Sequence, residues 1–311
     1  MKHCIMGKGI GPGGTIGIVA PAAPSVPERL TLAVAYLHRL GYQVVLGRSV
    51  QEEWGYLAGS DEIRAQDVNR FFADPAIHGI LCLRGGYGAA RILDLLDYDT
   101  IRKNPKLFIG FSDITALHTA LRERCGLATI HGPMALSLVH RATAYTRRQF
   151  ELGLVQPVRP GPFVLPPKRH LTGLVPGRAA GPIVGGNMYL LSALSGTPYE
   201  LDGTGCILFL EEIGEEAYSL DRMLRQFEQT GLISRVAALA FGDLTYCRPV
   251  VEKAGEFTVQ EIVRQYARRW NKPALCGLPV GHGRHNGWLP LGVPAVLDAR
   301  PDGTASLTIM K

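Results

Sequence analysis

Ser112 stands where the apolar run Leu107-Phe108-Ile109 gives way, through Gly110-Phe111-Ser112-Asp113, to a helical pattern from Ile114 to Glu123. A serine on such an abrupt strand-to-helix turn holds its hydroxyl clear of the sheet. The amides that follow, at a helix N-terminus, face any negative charge that develops beside it. The chemistry this suits is nucleophilic attack. Serine is also a favoured helix cap, so the role requires an acid, a base and an oxyanion site elsewhere in the chain.

Glu211 and Glu212 follow the apolar run Ile207-Leu208-Phe209-Leu210. A carboxylate at the end of a buried strand must be paired or hydrogen-bonded, and holding a histidine is one way to achieve that. Strand alternation sends the two side chains to opposite faces, so the sequence alone leaves open which one serves. Among nine histidines, His131 in Ile130-His131-Gly132-Pro133 and His282 in Gly281-His282-Gly283 are the serious candidates for a base, with His285 a near rival. His3, His38, His140 and His170 read as surface residues, and His118 is expected to point away from the start of its helix.

Three glycine-rich turns compete for ligand contact. Arg84-Gly85-Gly86-Tyr87-Gly88 follows a strand ending at Leu83. Its amides suit an anion or oxyanion, and Arg84 suits a substrate carboxylate. Gly7 to Gly14 has spacing near a dinucleotide fingerprint, yet it precedes the first strand and carries Pro12 where the helix should open. Gly185-Gly186-Asn187 reads as packing.

The elements that must position these residues alternate. Strands are expected at Thr15 to Val19, Gln43 to Leu46, Gly79 to Leu83 and around Leu107, interleaved with helices at Pro27 to Leu40, Ser60 to Phe72, Ala89 to Leu96 and Ile114 to Glu123. Such alternation implies a parallel sheet covered by helices, with sites at the C-terminal strand ends. Residues 1–157 are read as this first α/β domain and 158–180, dense in Pro and Gly, as a linker. Residues 181–311 are read as a smaller, mixed α/β domain. Its strands are expected near 183–187, 206–210, 237–241, 274–276, 295–297 and 306–309, with helices ending at Leu194 and spanning Ser219 to Thr230 and Thr258 to Trp270.

A chain of 311 residues with 46% hydrophobic residues buries a core without disulfides or metals. The six cysteines form no CxxC pair and no Cys/His cluster at zinc spacing, so reduced thiols are expected. The net charge of +6 is spread rather than striped, which argues against a nucleic-acid partner. No export signal or membrane span is read, and the cytoplasm is the expected compartment.

Taken together and in this order, Arg84-Gly85-Gly86-Tyr87-Gly88, Gly110-Phe111-Ser112-Asp113, His131-Gly132-Pro133, Gly185-Gly186-Asn187, Leu208-Phe209-Leu210-Glu211-Glu212 and Gly281-His282 resemble the LD-carboxypeptidase family of serine peptidases. These are the muramoyl-tetrapeptide carboxypeptidases of cell-wall recycling. The resemblance implies a flavodoxin- or glutaminase-like first domain and an active site in the interdomain cleft. It makes Ser112 the nucleophile, His282 the base and Glu211 the acid that orients it. Glu212, where the family often has Asp, is a conservative departure. Acyl transfer on these residues expects an oxyanion hole at the amides of Gly86 and Asp113 and substrate contacts from Arg84, Gly85 and Tyr87. The substrate implied is a murein tetrapeptide or muropeptide that loses its terminal D-alanine. Neither cofactor nor metal is expected, and a homodimer is entertained although no residue pattern specifies one.

Two alternatives lie in other directions. A relative of the microcin C immunity peptidases would hydrolyse aminoacyl or peptidyl nucleotides, and a non-catalytic nucleotide-binding module would use Gly7 to Gly14. An α/β-hydrolase esterase expects glycines two positions either side of its serine, and here the later position is Ile114.

Overall fold

The structure is a computed structural model describing residues 4–140, 142–248 and 256–311; His3 lies outside them. The chain divides into two compact units, one running to Val158 and taking in Asn286–Gly292, the other formed by Arg159–His285 and Val293–Lys311.

The first unit holds six parallel strands: β1 (Ile5–Met6), β2 (Thr15–Val19), β3 (Gln43–Leu46), β4 (Gly79–Cys82), β5 (Leu107–Gly110) and β6 (Leu127–His131). Their order is β1-β6-β5-β4-β2-β3. Apart from the two-residue β1, the strands therefore run 2-1-3-4-5 in chain order, which is the flavodoxin-like arrangement. The sheet reverses direction between β2 and β4, and it is there, beyond the carboxyl ends, that such sheets bind ligands. β4, β5 and β6 are buried at every residue, as strands covered on both faces must be. β6 is a strand beyond those expected above, built on the short apolar run Leu127-Ala128-Thr129-Ile130.

The helices begin where local chemistry dictates. Pro27 opens Pro27–Arg39 at a position where its missing N–H costs nothing, and the Ser60 hydroxyl caps Asp61–Ala73 by accepting from Ile63 N at 3.4 Å. The helix expected at Ala89 to Leu96 is a 3-10 helix, Ala89–Leu95. Its first amide donates to the Asp113 carboxylate at 2.8 Å, which ties this short connector to the loop after β5.

The second unit begins inside the stretch read as a linker. β7 (Gly161–Pro162) and β8 (Thr172–Val175) join β9 (Gly177–Asn187), β10 (Ile207–Ile213), β11 (Ala238–Thr245) and β12 (Ala274–Cys276). The chain then passes through β13 (Leu289–Leu291) to β14 (Pro294–Ala299) and β15 (Ala305–Ile309). The sheet order is β7-β15-β14-β9-β10-β11-β12-β8, with β9 to β12 parallel and the outer strands antiparallel. β7 and β8 are thus the two edges. A segment rich in proline is tolerated there because an edge strand can spare ladder donors. The core packs Leu208, Leu210 and Leu239 against Leu224 and Phe227 of helix Ala217–Gln229 and Ile262 of helix Val259–Trp270.

β13 belongs to the first unit, pairing antiparallel with β6 through Leu289↔His131 and Leu291↔Thr129. Trp288 anchors it. The indole donates to Pro157 O at 2.9 Å, and a Cβ on Gly153 would lie 2.2 Å from the ring. Among the described residues no helix is long and apolar enough to cross a membrane.

Candidate active site

In the first unit β5 delivers Ser112 at φ 66°, a left-handed conformation that a residue with a side chain adopts only when its surroundings hold it there. Phe111 before it is extended, and Ser112–Ile114 forms a 3-10 turn leading into helix Thr115–Cys125. Gly110 makes the reversal sterically feasible, since a Cβ there would meet Ile114 Cγ2 at 2.7 Å. The strained turn and the helix N-terminus behind it have the form of a nucleophile elbow.

The loop after β4 closes over this turn. A Cβ on Gly85 would lie 2.9 Å from Ser112 Cβ, 3.0 Å from its Oγ and 3.4 Å from Asp113 N. Gly86, at φ 118°, abuts the loop after β2, where a Cβ would meet Ala23 Cβ at 2.5 Å. Arg84 is exposed and donates to Pro24 O at 3.2 Å. Tyr87 is exposed too, edge-on to Tyr56 with ring centroids 5.6 Å apart. Gly85, Gly86, Ser112 and Asp113 are thereby gathered at the C-terminal strand ends, with Arg84 and Tyr87 on the outer side of the same loop.

Asp113 is buried, its carboxylate accepting from Ala89 N at 2.8 Å. Burial pushes its pKa up to about 6, against the lowering effects of the Ala89 amide and the Arg64 charge. On the charged pattern of helix Asp61–Ala73 Arg64 looks like a surface residue, yet it is fully buried. Its Nη1 donates to Pro21 O at 2.6 Å and Gly88 O at 2.8 Å, its Nε to Gly59 O at 3.3 Å, and its Nη2 to Asp61.

In the second unit β10 carries Glu211, fully buried, and the pairing of β10 with β11 shifts register between Leu210 and Glu212. Such irregularities re-aim side chains beside functional sites. Glu211 Oε2 lies 2.7 Å from His282 Nδ1. An ionised carboxylate only accepts, so a bond to it from Nδ1 puts the proton on Nδ1 and leaves Nε2 as the basic nitrogen. Gly281, at φ 115°, makes the approach feasible, because a Cβ there would lie 2.4 Å from Glu211 Oε2. Gly283 plays the same part toward Asp243, whose Oδ2 would be 2.1 Å from a Cβ. Asp243 is itself held by Arg169 Nη2 at 2.6 Å, and Arg169 Nε reaches Gly277 O at 2.9 Å.

Glu212 points to the other face. Its carboxylate accepts from Asn187 Nδ2 (2.7 Å), Tyr189 N (2.7 Å) and Ile213 N (2.9 Å). Burial pushes its pKa up to about 7, an effect those three donors oppose and the Glu211 charge reinforces. Glu212 thus braces the start of helix Met188–Leu194, while Glu211 meets the histidine.

The rival histidines are placed otherwise. His131 is fully buried in β6, with its ring 5.8 Å from that of Phe111. His118 departs from expectation: its Nε2 lies 3.0 Å from the carbonyl oxygen of Gly110, the last residue of β5. Burial and the neighbouring His131 depress its pKa to about 3. His285 also has a depressed pKa, chiefly from burial. Gly7 and Gly9 face backbone rather than open space, since their Cβ atoms would lie 2.0 Å from Lys106 C and Val155 O. Among the described residues no group of three or more His, Cys, Asp or Glu is disposed to hold a metal ion.

Comparison with known proteins bears on both units. Residues 16–132 match the LD-carboxypeptidase N-terminal domain and residues 180–297 the LD-carboxypeptidase C-terminal domain. A probable murein peptide carboxypeptidase of Bacillus subtilis (strain 168) is 38% identical over 300 residues, covering 94% of this chain and 91% of the relative. The murein tetrapeptide carboxypeptidase of Pseudomonas aeruginosa is 35% identical over 291 residues, covering 92% and 93%. Among solved structures, muramoyltetrapeptide carboxypeptidase from Oxalobacter formigenes superposes with a TM-score of 0.83 at 28% identity, over 96% of this chain and 99% of that one. With both domains matched and relatives this similar along nearly its whole length, the chain belongs to the LD-carboxypeptidase family.

Proposed function

We propose that this protein is a serine LD-carboxypeptidase that removes the terminal D-alanine of murein tetrapeptides during peptidoglycan recycling. The observation that carries the reading is the Glu211–His282 hydrogen bond, 2.7 Å, within a chain 38% identical to a murein peptide carboxypeptidase.

Ser112 is the nucleophile in this reading and His282 the base. Nε2 of His282 takes the Ser112 proton as Oγ attacks the carbonyl of the third residue, and Glu211 fixes the tautomer and stabilises the imidazolium. The amides of Asp113 and Gly86 stabilise the oxyanion. When the tetrahedral intermediate collapses, His282 gives the proton to the departing amine, D-alanine leaves, and an acyl-enzyme remains on Ser112. Water, deprotonated by His282, attacks that ester, and His282 returns the proton to Ser112 Oγ as the ester bond breaks and the tripeptide leaves. Arg84, Gly85 and Tyr87 contact the peptide. Ser112 belongs to one unit and Glu211 with His282 to the other. Among the described residues the six cysteines form no disulfide, which is in keeping with a reducing, cytoplasmic setting.

The discriminating assay offers the purified protein a murein tetrapeptide and an aminoacyl-sulfamoyl adenylate. D-alanine release from the first with slow or no hydrolysis of the second is expected. The opposite ranking would assign the chain to nucleotide-linked substrates.

A further inference from the structure

We infer that Arg64 is a positioning residue for the reaction, a buried clamp that sets the Gly86 amide against Ser112. The inference rests on the proposed function, and it adds a residue that touches neither substrate nor reacting atoms.

Three loops meet at the strand ends of the first unit, after β2, β4 and β5. Arg64 is fully buried, and its Nη1 bonds the first two loops together through Pro21 O at 2.6 Å and Gly88 O at 2.8 Å. A guanidinium has fixed, planar donor directions, so two acceptors on one nitrogen define the spacing of the loops as a flexible ammonium does not. Between those tethers lie the contacts that shape the oxyanion site. Gly86 meets Ala23 of the β2 loop with room only for hydrogen, and Gly85 meets Ser112 in the same way. Gly88 is fitted to the clamp in the same way, since a Cβ there would lie 2.9 Å from Arg64 Nη1 and 2.5 Å from Leu57 Cδ2.

The third loop joins through charge. Asp113, the neighbour of Ser112, accepts from Ala89 N, the residue after the clamped Gly88, and feels the Arg64 charge. Arg64 is oriented in turn by Asp61, which also receives Arg91 through both carboxylate oxygens at 2.9 to 3.1 Å. A burial this costly for a charge is sustained only by such complete hydrogen bonding. Its geometric product is a fixed Gly85-Gly86 segment over the nucleophile. Oxyanion donors act through placement that precedes the reaction, so loosening the clamp should lower turnover more than substrate binding.

The test compares wild type, Arg64→Met, Arg64→Lys and Ser112→Ala in the full chain. D-alanine release from murein tetrapeptide is measured, and turnover is expressed per serine titrated to completion with a fluorophosphonate. For Arg64→Met, kcat per titrated serine should fall about a hundredfold, the scale of losing one oxyanion donor, with KM changed less than about threefold. Arg64→Lys, keeping the charge but not the fork, should lie between, at least about tenfold below wild type. A merely structural role would lower the fraction of titratable protein and leave kcat per site unchanged, and that result overturns the inference. If Arg64→Met fails to fold, a wild-type kcat per site in Arg64→Lys overturns it equally. Retained D-alanine release by Ser112→Ala would instead strike the proposed function.

Discussion

Gly85 lies against Ser112 so closely that a side chain at residue 85 would begin 2.9 Å from the serine Cβ and 3.0 Å from its Oγ. The Ser112 loop and the loop after β4 are therefore fitted to each other with hydrogen as the only spacer. Gly85→Ala should push Ser112 from its left-handed turn and lower kcat at least about tenfold, while overpacking costs the fold about 1–3 kcal/mol. Steady-state kinetics beside a denaturant titration reads both. An unchanged kcat would show that the turn yields without consequence.

Glu211 and Glu212 are adjacent, yet their variants should fail differently. Glu211→Gln removes the carboxylate that fixes the His282 tautomer and should lower kcat by several orders of magnitude, on the scale of about 10⁴ seen when a triad acid is neutralised. Glu212→Gln should chiefly destabilise, because an amide presents an NH₂ to one of the backbone donors the carboxylate now accepts. The reverse ranking in kcat would move the acid by one position.

Glu212 also gives a pH signature. Its folded pKa, about 7, lies above the ordinary 4.5, so between those values the folded state holds a proton the unfolded state has released. Stability contributed by this proton is present below pH 4.5 and declines as pH rises toward 7, by about 3 kcal/mol at most. Glu212→Gln should flatten that decline in urea titrations across pH 4.5 to 7, and an unaltered slope would contradict the buried assignment.

His118 works in the opposite direction. Its pKa falls from 6.5 to about 3, so below pH 6.5 the unfolded state takes up a proton that the folded state refuses. Stability is thus lost as pH drops from 6.5 toward 3. His118→Gln should lessen that acid sensitivity while costing some stability at pH 7 through the Gly110 carbonyl contact. Equal acid midpoints for variant and wild type would rule out this contribution.

The fold was legible wherever apolar runs met glycine, as at β4 and β5, because buried parallel strands announce themselves by continuous hydrophobicity. β7 holds a proline that an edge position tolerates, β8 is a short strand set among the prolines of 157–176, and β6 is marked only by a short apolar run. At the site, Ser112 was readable from its turn. Glu211 could not be separated from Glu212 without the family resemblance, since alternation says that they diverge but not which faces the histidine. Arg64 had no signature at all: an arginine on a charged helix reads as solvated until three loops are seen to converge on it.

The central claim is that Ser112 opens the LD-amide bond. Mass spectrometry of a murein tetrapeptide digest, run in parallel with wild type and Ser112→Ala, tests it most directly. Tripeptide and free D-alanine are expected with wild type, and intact tetrapeptide with a folded Ser112→Ala protein. Tripeptide accumulating with both proteins would contradict it.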